Sequence, residues 1–219
     1  MSQAFDPVQR HDTCFFERYA QILLATFLGE GFAALVNRDR PDLQSPDGHA
    51  LGIEVTRAMD ESKKAEEALL KDISGATPTP DDGAVAEFGY AYGLRTGKFI
   101  GEKEYTYWSM ALPLRRILES KVAKVGNGFY GQFERMGLFV FSRENLREAE
   151  AVKAMNYTLS LQKGLEIRYN RLYLADVDDL FVCNLDEGLK LSSRLVRYRI
   201  TQDLRKTFYL EAVRCRNEA

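Results

Sequence analysis

The sequence predicts an α/β protein in which helices flank a mixed central sheet. Segments of helical composition alternate with short strand-like runs along the chain, which is the order expected for this class. The run over 137–141 is continuously apolar and therefore suits a strand that is covered on both faces. With 219 residues, of which 45% are hydrophobic, the chain can bury the core of a single domain over 1–219.

Two helices carry clear start and stop signals. The first is predicted over 14–28, with Thr13 as its N-cap and Gly29 as its stop. Apolar residues occur nearly all round this helix, so it is expected to be packed on more than one side. A second helix is predicted to begin at Pro113, because proline is favoured in the first turn, and to end near Val125.

Residues 74–107 interrupt the alternation. They are rich in glycine and tyrosine and are predicted to form an insertion within the domain. The aromatic side chains either stack on bases or pack the insertion itself. Ser142 is expected to cap a helix that ends near Gln162. The other predicted elements are an edge strand over 33–36, a charged helix over 60–73, strands over 171–175, 180–184 and 195–200, and a closing helix over 203–213.

Glu54 is the most informative single residue, because it lies inside a strand-like run over 51–56. Strand side chains alternate between the two faces of a sheet, so Glu54 is on the face opposite Ile53 and Val55. An unpaired carboxylate in a strand interior is costly to bury. It needs a cation, a hydrogen-bond donor or water, and the hypothesis is a divalent metal ion that Glu54 shares with Asp42.

A turn between these two acids supports the hypothesis. The Ser-Pro-Asp-Gly sequence that begins at Ser45 is typical of a type I turn followed by a left-handed glycine, which closes a three-residue hairpin loop. That loop pairs Ser45 with His49 and puts Asp42 on the diagonal from Glu54, at a Cβ separation of roughly 7–8 Å. Both carboxylates then share one face, and Gly52 leaves space beside them.

Composition excludes several classes of protein. The formal net charge of −2 gives no overall attraction to nucleic acid, although basic residues are concentrated over 190–216, as either a phosphate-facing surface or a solvated helix face. The cysteines have no close neighbour in sequence, which favours a reducing compartment. No apolar run approaches the ~20 residues that cross a bilayer, so a cytoplasmic protein without a membrane partner is predicted. No zinc spacing, catalytic triad or phosphate-binding glycine loop can be assembled.

The order of the acidic residues carries a family resemblance. Glu17 lies in the opening helix, Asp42 follows a proline, and the triplet Glu54, Val55 and Thr56 comes after a hairpin turn and before further helices and an apolar strand. This arrangement resembles the PD-(D/E)XK superfamily of nucleases, which have the restriction-endonuclease-like fold. The resemblance extends over roughly 13–142.

The resemblance implies a nuclease that hydrolyses phosphodiester bonds with Mg²⁺ or Mn²⁺. It assigns Asp42 and Glu54 as metal ligands, the carbonyl of Val55 as a further ligand, and Glu17 as the acid from the first helix. Thr56 stands where the family has a lysine that orients or activates the attacking water. A threonine hydroxyl can hydrogen-bond to water but supplies no positive charge, so another residue has to provide the cation.

Lys121 is the candidate for that cation. It lies on the same face of the second helix as a stripe of apolar residues. Either its ammonium snorkels to the surface or its side chain points into the site. Arg57 is a weaker candidate, since its side chain is expected to face away from Glu54. The apolar stripe consists of Leu114, Ile117, Leu118 and Val125.

Three functions therefore remain open at the level of the sequence. The first is a metal-dependent nuclease acting on nucleic acid, with DNA favoured over RNA. The second is a catalytically inactive relative that serves as a nucleic-acid- or protein-binding module. The third is an unrelated α/β protein in which Glu54 pairs with an arginine such as Arg38 or Arg40.

Overall fold

In the computed structural model, the described residues form a seven-stranded mixed sheet with helices on both faces. The described residues are 13–58, 112–142, 146–186 and 193–214, so the predicted helix over 60–73 and insertion over 74–107 lie outside them. The predicted α/β class is confirmed. The elements are α1 (Thr13–Leu28), a 3₁₀ turn (Glu30–Phe32), β1 (Val36–Asn37), β2 (Leu43–Gln44), β3 (Leu51–Ala58), α2 (Leu112–Gly126), β4 (Arg135–Ser142), α3 (Glu148–Leu161), β5 (Arg171–Ala175), β6 (Asp179–Asn184), β7 (Leu195–Arg199) and α4 (Gln202–Arg214).

The strands lie in the sheet in the same order as in the chain. β1, β2 and β3 form an antiparallel meander, and β5, β6 and β7 form a second one. Between the meanders, β3, β4 and β5 run parallel. Parallel neighbours need long crossover connections, and α2 and α3 lie in the two connections concerned.

The central strand β4 separates two hydrophobic cores. Phe139 and Phe141 belong to the core under α1 and α4, while Met136, Leu138 and Val140 belong to the core under α2 and α3. All five side chains are at most 2% exposed. The interpretation of this run as a strand covered on both faces is therefore correct, and the structure extends it at both ends.

The hairpin turn has the predicted residues in a longer loop. The Gly48 N–H donates to the Ser45 carbonyl at 2.8 Å, and Gly48 has a left-handed φ of 69°. The Asp47 carboxylate accepts from the backbone N–H groups of His49 and Ala50 at 2.9 and 3.0 Å. These bonds hold His49 in the loop, so the predicted pairing of Ser45 with His49 is wrong.

The register of the hairpin is shifted by two residues as a consequence. Leu43 lies opposite Ile53, and the Ser45 N–H donates to the Leu51 carbonyl at 2.8 Å. Continuing this register places Asp42 directly opposite Glu54 instead of on its diagonal. Because side chains alternate with a period of two, a two-residue shift leaves both carboxylates on a common face.

Gly52 allows a close approach instead of leaving space. A Cβ atom at this position would lie 2.7 Å from the ring of Pro41 and 2.9 Å from the sulfur of Met136. Pro41 therefore packs directly over β3, which holds the start of β2 against the sheet. The expectation that Gly52 opens a space beside the carboxylates is wrong, because the Pro41 ring fills it.

The start of α3 also differs from its prediction. Ser142 pairs with Ala58 at the end of β4 and does not cap a helix. α3 begins after Arg147, whose backbone N–H donates to the Glu150 carboxylate at 2.8 Å. This bond is half of a capping box, which the sequence analysis overlooked.

Gly52→Ala tests the packing that positions Asp42. The added methyl group has to displace Pro41 and Met136, so we expect a loss of about 1–3 kcal/mol in the free energy of unfolding, the range for overpacking. Urea denaturation measures this. Gly31→Ala is the control, because nothing lies within 4 Å of its Cβ position, and equal midpoints for the two variants would contradict the packing argument.

Candidate active site

Asp42 and Glu54 lie side by side on the face of the sheet that α2 covers. Glu54 is 7% exposed in the middle of β3, and Asp42 is half-buried just before β2. One oxygen of Asp42, Oδ2, accepts the backbone N–H of Val55 at 2.7 Å. The two acids that the sequence analysis selected are therefore neighbours, with their carboxylates on a common side.

Lys121 points into this site and does not snorkel to the surface. Its Nζ lies 2.5 Å from Oε1 of Glu54, and its side chain is 14% exposed. Leu118 and Val125, three residues before and four residues after it, are buried in the core beneath α2, so the same helix face carries Lys121 towards the sheet. Glu54 therefore pairs with a lysine of the neighbouring helix and not with Arg38 or Arg40.

Burial and the neighbouring charges both shift the pKa of Asp42. Burial is the largest cause, and together with the charge of Glu54 it raises the pKa of the carboxyl from 3.8 to about 7. The N–H of Val55 and the charge of Lys121 act in the opposite direction without cancelling that shift. Because burial and the Glu54 carboxylate both disfavour its charged form, Asp42 takes up a proton near neutral pH when no other cation is present.

Glu17 stands further from the centre of the site. Its Oε2 accepts a hydrogen bond from the Nδ2 of Asn37 on the edge strand β1, while its charge contributes to the raised pKa of Asp42. Within the described ranges, no group of three or more His, Cys, Asp or Glu side chains is arranged to hold a metal ion. Asp42 and Glu54 are thus the paired acids, and Glu17 acts on Asp42 through its charge.

Val55 and Thr56 follow Glu54 in β3. Val55 uses its N–H to bind Asp42. The N–H and the carbonyl of a strand residue point to the same edge in an antiparallel pair, so the Val55 carbonyl is on the edge of β3 that faces β2. Thr56 is half-buried on the same face as Glu54.

Arg57 faces the opposite side of the sheet, as its position in the strand predicts. Its guanidinium lies over the ring of Phe16 in α1, at 4.6 Å from the ring centroid. Arg57 is therefore packed against α1 and is not a substitute for the missing lysine.

Tyr130 is a site residue that the sequence analysis missed. It is 3% exposed, and its hydroxyl has no hydrogen-bond partner among the described residues. Burial and the nearby Glu54 carboxylate raise its pKa, so the phenol stays protonated and able to donate. Tyr169 lies next to it and donates to the Lys121 carbonyl at 3.4 Å. Only the packing of the turn after α2 against β3 reveals this hydroxyl.

Three arginines of the basic segment over 190–216 are committed to carboxylates in the part that the structure describes. Arg197 makes two hydrogen bonds to the buried carboxylate of Asp179, at 2.9 and 2.8 Å, and Arg199 adds a third at 3.1 Å. Arg205 lies 3.6 Å from Asp178. These arginines hold the turn between β5 and β6, so a phosphate-facing role for them is not supported.

Lys121→Met tests the ion pair. It leaves the Glu54 carboxylate buried without its cation, so we expect the free energy of unfolding to fall by about 3 kcal/mol, the lower end of the range for breaking a buried pair. Adding Glu54→Gln should restore most of the loss. Lys163→Met, at an exposed lysine, is the control in urea denaturation. A double variant no more stable than Lys121→Met would contradict the pairing.

The raised pKa of Asp42 predicts a pH effect on stability. The folded state binds this proton more tightly than the unfolded state, so ionisation of Asp42 between its usual pKa of 3.8 and about 7 favours unfolding. Asp42→Asn keeps an acceptor for the Val55 N–H and never ionises. In metal-free buffer, its stability relative to the wild type should therefore increase from about pH 5 to about pH 8. Stability curves of Asp42→Asn and the wild type that run parallel over this pH range would refute the shift.

Comparisons with known proteins give no further information about the site. No family model, no curated protein and no solved structure matches the chain. None of the described helices combines the length and the hydropathy needed to span a bilayer. The interpretation of the site therefore rests on its own residues.

Proposed function

We propose that this chain is a Mg²⁺- or Mn²⁺-dependent nuclease that hydrolyses phosphodiester bonds of nucleic acid, with DNA favoured over RNA. The observation that carries the proposal is the position of Lys121. Its ammonium binds the Glu54 carboxylate from the neighbouring helix, its charge also acts on Asp42, and it supplies the positive charge that Thr56 lacks. An acid pair with a lysine beside it is the set of groups that the PD-(D/E)XK resemblance implies.

The order of the elements supports the same assignment. A buried helix is followed by three antiparallel strands, a helix, and an apolar strand parallel to the third one. Asp42 lies just before the second strand, and Glu54 lies within the third. This is the succession on which the resemblance to restriction-endonuclease-like proteins rests.

The two carboxylates fit a hard divalent cation. Mg²⁺ binds proteins through one or two carboxylates and keeps several waters, so two acids suffice. Oδ2 of Asp42 is used by the Val55 N–H, which leaves the other oxygen for a cation. Burial and the charge of Glu54 both disfavour the ionised form of Asp42, and a bound cation would offset that cost. Asp42, Glu54 and the Val55 carbonyl would hold it.

When bound, a divalent ion lowers the pKa of a coordinated water and offsets charge on phosphoryl oxygens. The chain's own groups provide the rest. Lys121 stabilises negative charge that develops on the phosphate, and it is held in place by Glu54. Thr56 orients water through its hydroxyl, and the phenol of Tyr130, which has no partner among the described residues, would donate to an oxygen of the bound substrate.

The second candidate is a nuclease-like fold without catalysis that binds nucleic acid or protein. Two observations favour it. Lys121 already neutralises Glu54, and Asp42 takes up a proton near neutral pH, so the site reaches charge balance without a metal ion. The ion pair between Lys121 and Glu54 is also compatible with a purely structural role, in which it joins α2 to the sheet.

A cleavage assay with labelled DNA and RNA separates the two candidates. The wild type should cut DNA with Mn²⁺ or Mg²⁺ and not with EDTA. Asp42→Asn and Glu54→Gln should abolish cutting, and Lys121→Met should slow it by about 10²–10³, the loss for one group that stabilises charge in the transition state. Lys163→Met should cut like the wild type.

Calorimetric titration with Mn²⁺ completes the test. Heat of binding in the wild type that is lost in both Asp42→Asn and Glu54→Gln is expected. A folded wild type that neither binds Mn²⁺ nor cuts any substrate would reject the nuclease and leave the binding module.

A further inference from the structure

Phe129 is an exposed aromatic residue at the edge of the candidate active site. Its side chain is 46% exposed, whereas the next residue, Tyr130, is buried beside Glu54. Proteins that bind single-stranded nucleic acid use exposed aromatic side chains as platforms on which bases stack. The other exposed large apolar side chains in the described part of the chain are aliphatic, namely Val36, Val196 and Leu210.

Two cations from different elements converge on this ring. The guanidinium of Arg40 lies over the Phe129 ring at 5.0 Å from its centroid, and the ammonium of Lys124 lies over the ring at 5.2 Å, so both make cation–π contacts with it. Arg40 comes directly before Pro41 and Asp42, and Lys124 lies one helical turn after Lys121. Arg40 and Lys124 are therefore close in sequence to Asp42 and Lys121, the residues of the candidate active site.

The backbone holds Phe129 in a defined position. The Phe129 N–H donates to the Lys124 carbonyl at 3.1 Å, and the Gly128 N–H donates to the Val125 carbonyl at 3.0 Å. Gly128 is left-handed, with a φ of 68°. These features define a Schellman motif, whose residue after the glycine packs against the last turn of the helix. The ring is thus fixed at the surface before any ligand binds.

We propose that Arg40, Phe129 and Lys124 form a binding surface for single-stranded nucleic acid beside the scissile phosphate. An unpaired base stacks on the exposed part of the Phe129 ring, and the two cations contact flanking phosphates. The proposal rests on the nucleic-acid function proposed above and adds the form of the substrate. A duplex keeps its base faces within its own stack, so it cannot use the ring.

One carboxylate competes for this surface. Asp39 lies 3.3 Å from the guanidinium of Arg40, with the two side chains 85% and 60% exposed. Exposed ion pairs contribute little to stability, because water and salt screen them. A phosphate can therefore replace Asp39 at small cost.

Fluorescence anisotropy with a labelled thymidine oligonucleotide in EDTA tests the surface without cleavage. Phe129→Ala should weaken single-strand binding about tenfold or more, the effect of losing one stacked base. Phe129→Trp keeps the ring and should bind at least as well as the wild type. The double variant Arg40→Gln/Lys124→Gln should lower the slope of log Kd against log salt by about 1.4, from about 0.7 for each lost phosphate contact.

Two matched controls separate the surface from general effects. Leu210→Ala removes an exposed apolar side chain on α4, and Lys163→Gln removes an exposed cation after α3. Both should bind like the wild type, and a duplex of the same length should bind more weakly than the single strand. The surface is refuted if Phe129→Ala and Phe129→Trp both bind like the wild type, if the controls weaken binding equally, or if the duplex binds better.

The outcome is distinguishable from that of the nuclease proposal. Cleavage by the wild type together with unchanged binding in the surface variants would reject the surface alone. Single-strand binding that depends on Phe129, in a protein that never cuts, would reject the nuclease alone and retain the surface as the binding face of the inactive module.

Discussion

The contact between Lys121 and Glu54 is the interaction on which the rest of the site depends. It joins α2 to the middle of β3, and both charges are largely removed from water. Such a pair contributes little net stability in itself, but the loss of either partner leaves a buried charge without compensation. The pair therefore fixes how α2 sits on the sheet. Asp42 lies beside this ion pair. Because Lys121 neutralises Glu54, the ion pair also determines the net charge that a proton or a metal ion meets at Asp42.

The central strands and the helices that cover them could be predicted from local sequence patterns. The apolar run over 137–141 is central in the sheet, and α2 begins and ends within one residue of its predicted bounds. The common face of Asp42 and Glu54 was also predicted, although the register was wrong. The turn chemistry of Asp47 lengthened the loop, and only the even number of residues in the shift kept both acids on one side.

Features that depend on distant pairing could not be predicted. Tyr130 enters the site because a turn with two left-handed glycines folds it under α2, and no periodicity marks this. The ion pairs of Arg197 and Arg199 with Asp179 require the pairing of β6 with β7, so the arginines look free in the sequence. In each case the partner is set by the sheet and not by neighbours in the chain.

Asp42 provides the strongest physical argument that the site does more than join α2 to the sheet. An ion pair between helix and sheet needs one carboxylate and one ammonium, and Glu54 and Lys121 already provide them. Burial and the charge of Glu54 raise the pKa of Asp42 to about 7, so this second carboxylate opposes folding once it ionises. An asparagine would accept the Val55 N–H without this cost. Groups that act against stability in this way are concentrated at functional sites, and a divalent cation bound between Asp42 and Glu54 would convert the unfavourable charge into binding energy.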